Sequence, residues 1–235
     1  MSELRLTDVG VRYGDRVAVA GIDVVVAPGE VVAVLGPSGC GKSTLLRAIT
    51  GLEPLSAGSV HLGGVDLAGV PTHRRGIGLM FQEAALFEHL DVSGNVGFGL
   101  RMQHRGKAEI AQQVARMLHL VGLADRAHAP VDELSGGERQ RVSLARTLAP
   151  EPGVVLLDEP LGALDRALRR DMVALLSEAF AATSATVMYV THDRDEAFAL
   201  ADRVALMRDG RWVQVGSVFD VIENPADGWV RDFLA

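Results

Sequence analysis

A chain of 235 residues, 48% hydrophobic and 23% charged, is long enough to bury a sizeable core as one domain or two. Its formal net charge of −7 gives no electrostatic footprint for nucleic acid, and its single cysteine, Cys40, excludes an internal disulfide and any cysteine-rich metal site. No apolar run approaches the roughly twenty residues that cross a bilayer, and the opening MSELRLTD has no apolar segment of a secretory signal, so the chain is expected in the cytoplasm.

From Leu4 to Leu35, β-branched residues cluster around the turns YGDR and APGE. This predicts several strands, ending in the continuous apolar run VVAVL, Val31 to Leu35, which has the pattern of a buried parallel strand. GPSGCGKST, Gly36 to Thr44, follows, and then the helix-like LLRAITG, ending at Gly51. Strand, glycine loop and helix in that order turn the spacing Gly36, four residues, Gly41-Lys42-Ser43 into a mechanism. Glycines let backbone N–H groups point inward, the helix N-terminus adds partial positive charge and Lys42 adds a full one. The loop residues Gly36, Pro37, Ser38, Gly39, Cys40, Gly41, Lys42, Ser43 and Thr44 are therefore candidates to cradle polyphosphate, with Lys42 open to ligand rather than packed. Ser43, on the first helical turn, is placed to ligate magnesium. Two readings are open for Cys40: a thiol made reactive by the helix N-terminus, or a small residue chosen for packing.

SVHL and IGLMF, split by glycine and proline loops, continue the sheet to Phe81. From Asp91 to Ala149 the period becomes helical, with Ile110, Val114, Met117, Leu118 and Val121 on one face and no strand signal. Within this stretch Ser135-Gly136-Gly137-Glu138 opens a helix running to Ala149. Its plain reading is a capping box, Ser135 the cap and Glu138 the third helical residue, yet the glycine pair also bares N–H groups for a second anion. Spacing alone leaves both open.

VVLLD, TVMYV, VALM and WVQV then return as strands, and Leu168, Met172, Leu175, Leu176 and Ala179 form a second helical stripe. The whole predicts a mixed α/β core interrupted by an all-helical insertion of roughly fifty to sixty residues. Asp158 and Glu159 close the run VVLL at the carboxyl end of a strand, the edge at which open parallel sheets bind ligands. Asp158 is placed to hold magnesium through a water and Glu159 to act on an attacking water.

These motifs together resemble the nucleotide-binding subunit of ATP-binding cassette (ABC) transporters, over essentially the whole chain. GPSGCGKST matches Walker A, Gln82 in MFQE the Q-loop, LSGGERQ (Leu134 to Gln140) the signature, VVLLDEP Walker B, LGALD the D-loop and His192 in VTHD the switch histidine. The resemblance implies an α/β P-loop NTPase core with an antiparallel β subdomain and an all-helical insertion, as one ABC ATPase domain over 1–235 with the helical subdomain at about 83–150. It implies ATP and Mg2+ as cofactors, the metal held by Ser43, Gln82 and Asp158. Glu159 is the implied general base, His192 holds Glu159 and orients the water, and Lys42 and Gln82 complete the catalytic set. Tyr13 matches the aromatic that stacks on adenine. Ser135 and Gly137 would contact the γ-phosphate held by a second, head-to-tail subunit. Gly162 stands where serine is frequent in the D-loop.

The resemblance further implies a homodimer or heterodimer of ABC subunits, integral membrane permease subunits and a periplasmic or surface solute-binding protein as partners, with no nucleic acid. The chain would sit peripherally on the cytoplasmic face of the inner membrane. Ala85 to Leu100 resembles the segment after the Q-loop in bacterial importer cassettes for iron, polyamines, sulfate, thiamine and sugars, with Leu86, Phe87 and Leu90 as candidate permease contacts or core residues. Many such importers carry a C-terminal regulatory domain; the short tail after His192 leads one to expect none here. The alternatives are a free-standing exporter cassette or a soluble ABC ATPase not coupled to transport.

Overall fold

Two sheets share the β-rich parts of the chain in the computed structural model, which describes residues 2–162 and 164–235. The first is built from β1 (Leu4–Tyr13), β2 (Arg16–Val26), β4 (Ala57–Leu62) and β5 (Val65–Asp66), all antiparallel in the order β2-β1-β4-β5. Gly14, at φ 57°, and Asp15 turn β1 into β2, a two-residue connection that suits the twist of a hairpin.

The second sheet has six strands. These are β3 (Val31–Leu35), β6 (Ile77–Met80), β7 (Val154–Asp158), β8 (Thr186–Thr191), β9 (Arg203–Arg208) and β10 (Arg211–Ser217), in the order β10-β9-β3-β8-β7-β6. All pair in parallel except β10, an antiparallel edge. The continuous apolar runs VVAVL and VVLLD are buried at every residue, as strands covered on both faces require.

The covering layers follow from side-chain alternation. Val32 and Val34 join the first sheet and α1 (Lys42–Thr50) in one apolar cluster, through Leu45, Leu46 and Ile49. Val31, Ala33 and Leu35 face the other way, into a cluster with the helices of the second half. Between β6 and β7 lie α2 (Val92–Val96), α3 (Phe98–Met102), α4 (Lys107–Leu120) and α5 (Gly136–Leu148); α6 (Arg166–Thr183) and α7 (Arg194–Leu200) flank β8, and α8 (Val218–Glu223) and α9 (Gly228–Leu234) end the chain. Val114, Met117 and Leu118 of α4 and Met172, Leu176 and Ala179 of α6 are buried in that second cluster, so the helical stripes are core.

Three expectations shift at their edges. The strand of IGLMF ends at Met80, and Phe81 is exposed at the start of an irregular stretch. The strands read along the chain as one continuing sheet divide into two, because β1 pairs with β2 and β4 and not with β3, which gives the antiparallel β subdomain that the resemblance implied. Val121 belongs to the buried stripe but sits past the end of α4, and Asp91 and Pro130 form an isolated bridge inside the helical region.

Candidate active site

The five parallel strands each deliver a segment to the same sheet edge, their carboxyl ends, and four of the five carry candidate residues. Along that edge come Asp209 after β9, the glycine loop after β3, His192 after β8, Asp158 and Glu159 at β7, and Gln82 after β6. Residues more than a hundred positions apart meet because their strands are neighbours.

The glycine loop is shaped by close backbone approach. A Cβ on Gly36 would lie 2.2 Å from the Met207 carbonyl oxygen. Gly41, at φ 109°, holds the N-cap of α1, and a Cβ there would come within 2.5 Å of the Ala18 carbonyl oxygen. Lys42 differs from expectation. It is 4% exposed, and its Nζ donates to the carbonyls of Gly36 at 2.8 Å and Pro37 at 3.1 Å. A buried ammonium needs partners, and the loop's own carbonyls supply them while it still lines the cleft. Cys40 is also buried, and that burial pushes its thiol above the ordinary value against the pull of Lys42. The packing reading of Cys40 therefore prevails over the reactive one.

Ser43 Oγ donates to Asp158 Oδ1 at 2.8 Å, joining the first turn of α1 to the end of β7. Burial raises the Asp158 carboxyl above its usual range, Glu159 adds to this, and the Ser43 hydrogen bond opposes it. A hydroxyl and a carboxylate in contact are hard oxygen donors that fit Mg2+. No group of three or more His, Cys, Asp or Glu able to hold a metal occurs among the described residues, so the other positions would fall to phosphate oxygens and water, the usual state of magnesium beside a nucleotide.

Glu159 has φ 44°, uncommon for a residue with a side chain, and its N–H is fixed on the Val190 carbonyl at 2.9 Å. Its Oε2 lies 3.3 Å from His192 Nδ1, with the imidazole half exposed. A Cβ on Gly162 would stand 3.3 Å from Gln82 Nε2 and 3.6 Å from Glu159 Oε2, so the Gln82 amide and the Glu159 carboxylate both lie close to this glycine. The D-loop around it includes Ala163, which lies outside the described residues.

Ser38 to Thr44, Gln82 and Glu159 line a cleft of about 700 Å³ that also takes in Tyr13, half exposed at the end of β1; Asp158 and His192 are not in its lining and reach it through their contacts with Ser43 and Glu159. The cleft holds residues the motifs did not indicate: Arg16, Val17 and Ala18 of β2, and Asp209 and Gly210 of the β9–β10 turn. Gly210 donates its N–H to the Cys40 carbonyl at 2.9 Å and accepts from Ala20 N–H at 2.8 Å, so this turn ties the glycine loop to β2. Asp-Gly between VALM and WVQV is a hairpin signal, which says nothing about where the turn docks.

Ser135 and Gly137 do not line the cleft. Ser135 caps α5 in a full capping box with Glu138, and a Cβ on Gly137 would strike Leu168 of α6 at 2.6 Å. Gly136 has no neighbouring atom within 4 Å of such a Cβ, leaving that face of the helix start open. Leu86 packs on the core edge, and Phe87 meets Phe98 in a tilted pair, 4.5 Å between centroids and 39° between planes, so these two and Leu90 are half buried rather than free.

The ABC transporter family profile matches residues 19–162. The chain is 54% identical over 233 residues, 99% of its length, to the "Fe(3+) ions import ATP-binding protein FbpC" of Streptomyces coelicolor, and covers 67% of that protein. It is 48% identical to the "Sulfate/thiosulfate import ATP-binding protein CysA" of Mycobacterium tuberculosis, over 97% of this chain and 65% of the relative. The chain thus spans about two thirds of the length of these relatives. Among solved structures it superposes on cbiO1 from Clostridium perfringens, described as part of the ABC transporter complex cbiONQ. The TM-score is 0.86 at 30% identity, covering 95% of this chain and 91% of the other.

Proposed function

The chain belongs to the ABC transporter family, and from that premise we propose that it is the ATP-hydrolysing subunit that powers uptake of a small solute through separate permease subunits. One observation carries the catalytic reading. Lys42, the Ser43–Asp158 pair, Gln82 and the Glu159–His192 pair converge on one sheet edge around one cleft. Tyr13 at its rim offers a ring face for adenine, and the inward N–H groups and Lys42 take the phosphates.

Hydrolysis requires a water oxygen to bond the γ-phosphorus while the bond to the ADP oxygen breaks. Glu159 is the group that accepts the water's proton, and His192, 3.3 Å from its Oε2, keeps the carboxylate aimed. Mg2+, held by Ser43 and Asp158 with Gln82 beside them, would neutralise charge on the phosphate oxygens. Little covalent work falls to the protein, so position and fixed charge carry the rate. Ser135 and Gly137 act from a second, head-to-tail copy or homologue, the open face at Gly136 leaving room for its γ-phosphate.

Uptake as the direction is supported by relatives whose names describe import of ferric ions and of sulfate or thiosulfate. No described helix is long and apolar enough to cross a membrane; separate permease subunits as partners are supported by the likeness to cbiO1, described as part of a transporter complex. A solute-binding protein outside and a peripheral place on the inner face of the membrane complete the reading. The test is Glu159→Gln, which keeps shape and leaves Lys42, Ser43 and Asp158 in place. ATP affinity should hold while turnover falls by roughly two to four powers of ten. Unchanged turnover would remove Glu159 from the role of base.

A further inference from the structure

His192 is the least supported member of the site. Its side chain is 53% exposed and meets Glu159, so its place depends on the backbone of Thr191 and Asp193 that carries it. That backbone is tied down by buried polar groups that the hydrolysis step does not use. Thr191 Oγ1 donates to Glu196 Oε2 at 2.8 Å and accepts from the Asp193 N–H at 3.0 Å. The Asp193 carboxylate caps α7 through the N–H groups of Asp195 and Glu196. Glu196 is 6% exposed, and its second donor is the hydroxyl of the fully buried Tyr189 on β8. Burial, with Glu196 alongside, holds the Tyr189 phenol far above its ordinary value, so it stays a donor.

Arg169 of α6 joins this cluster to the other wall of the site. Its Nη1 reaches Asp193 Oδ2 at 3.3 Å, its Nε faces Glu196 Oε1 at 3.4 Å as an ion pair, and its Nη2 donates to the Leu164 carbonyl at 3.2 Å. Leu164 belongs to the loop that leaves Glu159 and ends at Asp165, the cap of α6. One guanidinium therefore spans the segment leaving Glu159 and the turn bearing His192.

We propose that Arg169, Glu196 and Tyr189 form a positioning network that sets His192 against Glu159 and locks the His192 turn to the loop that follows Glu159. The network rests on the reading of Glu159 and His192 given above. It makes the approach of imidazole to carboxylate a property of α6 and α7 rather than of the half-exposed histidine. A shift of the Leu164 loop is passed through Arg169 to Asp193 and Glu196, and so to both neighbours of His192.

The test is a double-mutant cycle on ATP hydrolysis by the purified chain, with ATP affinity measured in parallel. Arg169→Met, which keeps the aliphatic stem, should lower kcat by roughly ten- to a hundredfold through misplacement of His192, with KM for ATP and ATP affinity unchanged. Tyr189→Phe, which keeps the ring in the core, should lower kcat in the same sense but less, and Arg169→Lys should restore part of the loss. In the His192→Ala background Arg169→Met and Tyr189→Phe should have no further effect. If each lowers kcat by its full factor in that background, or if ATP affinity falls together with kcat, the network does not act through His192 and the proposal is overturned. If Arg169→Met fails to fold, Tyr189→Phe decides by the same cycle. If His192→Ala alone leaves kcat unchanged, the assignment of His192 fails first and takes the network with it.

Discussion

Lys42 carries two roles that pull on the same atoms. Its ammonium holds the Gly36 and Pro37 carbonyls, and it is the one full positive charge in the glycine loop. Lys42→Ala should abolish ATP binding and, by removing charge-assisted hydrogen bonds from a buried loop, also cost about 1.5–3 kcal/mol of stability. Nucleotide titration and thermal melts check the two effects; wild-type affinity in the variant would remove Lys42 from the phosphate site. The order of apolar run, glycine loop and helix-like run was enough to predict the strand–loop–helix arrangement that the structure has. The packing of Lys42 against its own loop was not legible, since it depends on β9 and β2 closing over the loop from distant parts of the chain. Cys40 is a like case: adjacency to a helix start suggested reactivity, while burial beneath that closure decides against it. Cys40 should label with maleimide far more slowly than a free exposed thiol, with or without Mg-ATP; rapid labelling would show that the loop opens.

Asp158 adds a sign. A carboxyl whose folded value is raised makes the folded chain hold a proton that the unfolded chain releases. It costs no stability below the ordinary carboxylate range, an increasing amount as pH climbs toward the raised value, and its full amount above that. Asp158→Asn keeps an acceptor for the Ser43 hydroxyl and removes the buried charge. It should melt at a higher temperature near neutral pH in the nucleotide-free state, lose that advantage in acid, and lose Mg-dependent turnover. A lower melting temperature near neutral pH would contradict burial as the dominant cause.

At the scale of elements, the stretch 81–91 shows what sequence patterns pass over. It has no regular structure, yet Asn95 at the heart of α2 is fully buried and fixes it with four side-chain hydrogen bonds. Its Oδ1 accepts from Phe87 N–H, and its Nδ2 donates to the carbonyls of Phe87, Leu90 and Asp91. From α5, Gln140 donates to the Gln82 carbonyl and Arg146 to the carbonyls of Ala84 and Ala85. The backbone after Gln82 is thus held by the helix that Ser135 caps. The apolar run IGLMF found β6 to within a residue, the stripe from Ile110 to Val121 fell on α4 and its end, and the Ser135–Glu138 cap signal marked the start of α5, because each is a repeat or a fixed spacing. A loop organised by one asparagine and one arginine has no repeat to read. Asn95→Ala should leave several buried backbone groups unpaired, lower stability by about 1–3 kcal/mol and open 81–91 to proteolysis. A cleavage pattern matching the parent chain would show that Arg146 and Gln140 suffice.

For the whole molecule, the geometry of one chain leaves the signature residues outside the cleft they are expected to serve. Ser135 heads α5, away from the lining of the phosphate loop, and its neighbour Gly136 presents open space. Two copies arranged head to tail would bring each Ser135 to the other's γ-phosphate, so ATP would bridge the copies and its hydrolysis would release them. Glu159→Gln, which slows hydrolysis but not binding, should therefore be monomeric without nucleotide and dimeric with Mg-ATP. Adding Ser135→Arg puts a bulky side chain at the contact and should return the protein to a monomer, at the further cost of about 1 kcal/mol for the lost cap. The double variant should still bind ATP in its own loop, which separates a broken interface from a broken site. Light scattering across a concentration series, with and without Mg-ATP, reads both proteins. A single variant that stays monomeric at high concentration, or a double variant that dimerises as readily, would show that this chain does not close on ATP head to tail.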